Sequence, residues 1–167
     1  MATPEELTSK FWKSLHGDRT VMLGVEGAEN GHFRPMTAIT EHEHSGPVWI
    51  FTAQDTAVAR AVKDKKKRAM AAYSAKGHDL FATIHGTIEL DMDRGMIDKL
   101  WNPYVAAWFE EGKDDPKLAL LRFEAERGEI WLNENSLWAG VKMLLGAGDP
   151  KEDYQDKVAK VSLGNSE

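Results

Sequence analysis

About seven short runs of strand-like sequence, most of them separated by a few turn-forming residues, constrain this chain more than any other feature. They cover residues 19–25, 33–40, 48–52, 69–74, 80–90, 118–126 and 129–132. Strands joined by short turns favour an antiparallel sheet, and this number of strands in 167 residues favours closure into a small barrel. The segment Gly27-Ala28-Glu29-Asn30-Gly31 reads as the turn between the first two strands. Gly86, inside the fifth, predicts a bulge or a close backbone approach.

Helical sequence is peripheral to this pattern. Thr3, Pro4 and Glu6 make a capping box with proline in the first turn. Leu7, Phe11, Trp12 and Leu15 then form an apolar stripe, with Gly17 expected to end the helix. Asp55 is expected to cap a short helix over residues 56–63, and residues 137–145 read as another. Residues 93–110 read as helical with an expected break at Asn102-Pro103. There Trp101, Tyr104, Val105 and Trp108 fall at spacings of three and four, which predicts one aromatic face needing cover. Asp114, Asp115 and Pro116 stop it, because a residue before proline is pushed out of the helical region.

Residues 1–146 are expected to form one domain, and residues 147–167 a polar, mobile tail. No run of about 18 apolar residues predicts a membrane span, and the acidic N-terminus does not read as a secretory signal. The cytoplasm is the expected compartment. The absence of cysteine excludes disulfides, thiolate metal sites and a cysteine nucleophile. A net charge of −6 argues against a nucleic-acid partner. His42 and His44 read as solvated loop histidines rather than metal ligands, and the basic run of residues 63–68 as a helix end. No Ser-His-Asp elbow, phosphate-binding Gly-Lys-Ser/Thr loop or GxGxxG motif is present.

An ordered set of residues carries a resemblance. Arg34-Pro35-Met36, then Trp49-Ile50-Phe51-Thr52, then Asp55-Thr56, the Gly86-Thr87 turn, and LWNPYVAAWF…DDPKLALLRF…IWL across residues 100–132 resemble the general stress branch of the pyridoxamine 5′-phosphate oxidase-like proteins. The resemblance implies a mainly β fold: a six- to seven-stranded antiparallel split β-barrel of the FMN-binding type with peripheral helices. It implies a homodimer with FMN in a groove at the interface; FAD is the related alternative, and a deazaflavin a more distant one.

Arg34 is then a candidate flavin ligand, since a guanidinium offers paired donors to phosphate oxygens. Pro35 lacks an amide proton and suits a sheet edge, and the backbone of Met36 and Thr37 is a candidate for the ring edge. Phe51 belongs to the same candidate groove. Thr52 and Thr56 are candidate hydroxyl donors to phosphate, beside Asp55. The positions after Thr56, where the family often has a lysine or arginine, hold Ala57 and Val58; Arg60 is the basic residue offered instead. Trp131 is the tryptophan implied to approach the flavin ring. Ile39 stands where authentic pyridoxamine phosphate oxidases place a lysine, so that enzyme's activity is not expected. The implied function is flavin-dependent redox chemistry on an unidentified substrate. Alternatives are a non-catalytic flavin-binding or storage protein, a haem-binding barrel using His85, and a deazaflavin reductase.

Overall fold

A computed structural model describes residues 2–133 and 158–164. Helix α1 (Pro4–Asp18) begins at the expected capping box, and Leu7, Phe11, Trp12 and Leu15 are buried. It runs past Gly17 and ends at Arg19, whose left-handed backbone (φ 59°) lets its amide donate to Leu15 O. Asp18, the one added residue, is held in place: its Oδ2 accepts from Tyr73 Oη at 2.8 Å and from the Lys76 amide at 3.0 Å.

The strands are β1 (Thr20–Val25), β2 (Arg34–Thr37), β3 (Val48–Ala53), β4 (Lys67–Ser74), β5 (Leu80–Leu90), β6 (Leu118–Leu132) and β7 (Val158–Ser162). All pairings are antiparallel, in the order β2-β1-β4-β5-β6-β3, with β7 added beside β6. The two ends of this order meet at a single bridge between Ile39 and Trp49, with backbone bonds of 2.8 Å in both directions. The sheet is therefore a nearly closed barrel, split between β2 and β3. Leu23, Val25, Ile50, Ile84, Ile88, Leu121, Phe123 and Ile130 fill its interior together with the α1 stripe.

Three differences from the sequence reading concern the strands. Residues 118–132 are one strand rather than two. The charged pair Glu126-Arg127 before Gly128 reads as a break, but it is a bulge opposite His85/Gly86, where the register shifts by one. β2 is shorter than residues 33–40, because Ala38 turns its amide to Arg19 O and Ile39 makes the closing bridge. Within the run read as a tail, Val158–Ser162 forms β7 on β6, with Val161 buried. Its alternation of apolar and polar residues is too short to stand out in a polar stretch.

The helices are α2 (Ala57–Ala61), α3 (Arg94–Leu100) and α4 (Pro103–Ala106). Asn102 breaks the aromatic segment as expected, its side chain accepting from the amides of Tyr104 and Val105. The break divides the aromatic face. Val105, Phe109 and Trp101 join Trp49, Ile97, Leu100, Leu118 and Leu120 in a second core outside the barrel. Tyr104 and Trp108 are each 82% exposed, so the single covered stripe expected there does not form. The helix expected over residues 137–145 lies outside the described residues. Among the described residues no helix is long and apolar enough to cross a membrane.

Candidate functional site

The split in the barrel is where the candidate residues meet. Beyond the Ile39–Trp49 bridge, β2 and β3 share no ladder, and a cleft of about 440 Å³ opens between them. β2 contributes Arg34, Pro35 and Met36; the end of β3 contributes Thr52. The turn into α2 supplies Asp55 and Thr56, and α2 itself supplies Val58 and Arg60. Pro35 lies on an edge strand, where its missing amide costs no ladder bond toward the cleft.

Thr56, not Asp55, caps α2: its Oγ1 accepts from the Ala59 amide at 3.2 Å and donates to Ala53 O at 2.9 Å. The Asp55 carboxylate is left on the cleft wall. Thr52 Oγ1 donates to Thr56 Oγ1 at 3.3 Å. A bond of that length is weak, so Thr52 can turn its proton to an incoming acceptor at little cost.

The sequence reading missed one residue of the cleft. Glu29, in the β1–β2 turn, closes a two-pronged ion pair on Arg34: Nε donates to Oε2 at 2.5 Å, and a terminal nitrogen donates to Oε1. The turn that brings it round has Gly27 and Gly31 at φ 78°, and Glu29 and Asn30 also in the left-handed region. The hydrogen bond from Arg34 is the largest cause holding the Glu29 carboxyl below its usual range; desolvation opposes it, and the fields of Arg34, His32 and Arg60 add to the lowering. The same pairing raises the Arg34 guanidinium. A glutamate five residues before an arginine, across a glycine-bounded turn, was the available signal.

Three candidates do not line this cleft. Thr37 is exposed at the end of β2. Phe51 sits on the opposite side of β3 from Thr52 and meets Trp101 edge-on at 6.0 Å, in the second core. Trp131 lies near the far end of β6, half-buried, paired across the sheet with Phe81 of β5 and Val158 of β7. Within one copy of the chain it is not part of the site.

The cleft thus combines two guanidinium groups, two hydroxyls and an apolar edge from Pro35, Met36 and Val58, within the size range of small-molecule sites. Such a set can hold an anionic group at one end and a flat apolar group at the other. A profile of the family described as pyridoxamine 5′-phosphate oxidase like matches residues 6–152. General stress protein 26 of Bacillus subtilis (strain 168) is 28% identical over 125 residues, spanning 73% of this chain and 86% of that protein. A general stress family protein of Xanthomonas campestris pv. campestris is 56% identical, with a TM-score of 0.76 over 82% of this chain and 94% of that one. The general stress FMN/FAD binding protein of Xanthomonas citri is also 56% identical, with a TM-score of 0.76 over 80% of this chain and 93% of that one. The split barrel and these matches agree, and the chain belongs to the general stress branch of the pyridoxamine 5′-phosphate oxidase-like family.

Proposed function

We propose that the cleft between β2 and β3 binds FMN in a homodimer, and that the protein serves flavin-dependent redox chemistry on a substrate not yet identified. The observation that carries this reading is the convergence of Arg34, Thr52, Thr56 and Arg60, from four consecutive pieces of chain, at the barrel split. The Xanthomonas citri relative described as FMN/FAD binding supports it. Arg34 and Arg60 would meet the phosphate, and Thr52 would donate to it. Pro35 and Met36 would lie under the apolar part of the ligand. The flavin, when bound, supplies electron and hydride transfer, while these side chains bind and orient it. Trp131 would reach the ring from the second copy.

Titration with FMN, read by quenching of flavin fluorescence, tests the reading. Saturable binding of FMN, tighter than riboflavin, is expected. Arg34→Ala should weaken FMN about tenfold or more, the loss expected for a charge-assisted pair, and Thr52→Ala by less. Unchanged affinity in both variants would mean that the cleft is not the flavin site. A non-catalytic flavin-binding role is the second reading. It is favoured by the cleft's two acidic residues, Glu29 and Asp55, beside the proposed phosphate position. Turnover of the loaded protein with NADH or NADPH separates the two.

A further inference from the structure

The β6 bulge does more than bend a strand. In an unbroken strand, Glu126 and Arg127 would face opposite sides of the sheet. Here the register shift opposite His85/Gly86 leaves both exposed between the buried Ala125 and Gly128. Glu126 reaches Arg68 of β4, whose terminal nitrogen donates to both carboxylate oxygens at 2.9 and 3.0 Å. The Arg127 guanidinium is surplus: among the described residues no side-chain hydrogen bond or ion pair engages it. It stands in register with His85, then Met70, then Gly24, one row across β6, β5, β4 and β1.

That row floors a second cleft of about 250 Å³. Gly24 gives it depth, and the Phe33 ring stands against Gly24, only 3.1 Å from where a side chain's first carbon would sit. Val25, Ala69 and Met70 complete an apolar lining, with the Glu26 carboxylate also at the wall. The arginines near His85 lower its proton affinity after the effect of burial, so two positive fields act where the imidazole points. Those fields oppose a bound metal cation and favour an anion.

We propose that this cleft is a binding site for a small organic carboxylate bearing a flat apolar group. The carboxylate takes the open fork of Arg127 and an imidazole N–H of His85, and the apolar group lies on Phe33 and Met70. The site is independent of the flavin reading, since Phe33, just before β2, and Arg34, its first residue, serve different clefts.

The test uses benzoate as probe on the flavin-free, 15N-labelled full chain. Saturable shifts of the Gly24, Phe33 and Met70 amides are expected, with a dissociation constant on the order of a millimolar, the range open to so few atoms. Benzyl alcohol, the uncharged isostere, should shift them at least about tenfold more weakly. Arg127→Gln, an exposed substitution whose fold is checked by its melting temperature, should lose benzoate about tenfold; Arg127→Lys should fall between. Absence of saturable shifts would overturn the proposal, including by a second copy covering this face. So would equal binding of benzyl alcohol, or unchanged benzoate binding in folded Arg127→Gln.

Discussion

Glu29 and Arg34 place a carboxylate on the same guanidinium fork that a phosphate would use. The glutamate is thus an internal competitor for an anionic ligand, and the competition persists below the ordinary carboxylate range because Arg34 holds Glu29 ionised. Glu29→Gln should tighten FMN about three- to tenfold while leaving riboflavin, which has no phosphate, unchanged. Weaker FMN binding in that variant would instead make Glu29 the group that positions Arg34. His85 gives a second residue-scale prediction. Burial and then Arg127 and Arg68 depress its proton affinity in the folded protein. Its neutral form therefore contributes stability above the unfolded value near pH 6.5, and that contribution is lost as pH falls through the lower folded value. Arg127→Gln should move the imidazole titration upward in a proton NMR series; an unmoved midpoint would mean that Arg127 does not act on His85. At this scale the sequence exposed residues whose chemistry is their own, such as Arg34 and Thr52. It hid Phe51, whose neighbours decide its role, and Glu29, which matters only because a turn folds it back.

Among the elements, Gly86 shows why a strand interior carries glycine. A methyl added there would sit 1.9 Å from the Glu124 carbonyl oxygen, inside the β5–β6 pairing. No flexible side chain can yield, so the bulge itself must open. Gly86→Ala should lower stability by at least ~2 kcal/mol, at the upper end of overpacking effects, read as a shift in the denaturation midpoint. An unchanged midpoint would mean that the two backbones are not held together there. Both readings offered by this glycine, bulge and close approach, hold at one place. The bulge's other half is not legible in the sequence. Two adjacent charges and a glycine look like the end of a strand when the partner strand that accommodates them is unknown. The aromatic helix failed for a related reason: helical spacing at Trp101, Tyr104 and Trp108 is real only if one axis runs through them, and Asn102 starts a new one.

For the molecule as a whole, the antiparallel barrel followed from strand count and turn length, because antiparallel neighbours are local in sequence, whereas its split was implied only by the family resemblance. What lies across a symmetry axis is not local, and the flavin proposal puts Trp131 in that class. It sits far along β6 from the pairs that join β6 to β3, beside Phe81 and apart from Arg34. If FMN meets both residues, they come from different copies. A symmetric dimer would then hold two equal sites, each built from one copy's Arg34 and the other's Trp131. Arg34→Ala and Trp131→Ala should each weaken FMN binding. Unfolding and refolding the two variants together should restore it in part: a mixed dimer has one intact site and one lacking both residues. With random pairing, half the dimers are mixed, and about a quarter of all sites should regain the affinity of the unmutated protein. Light scattering on the same samples checks that they are dimers. No recovery in dimeric mixtures would place Trp131 outside the shared site, and a monomer at micromolar concentration would remove the interface on which the flavin proposal depends.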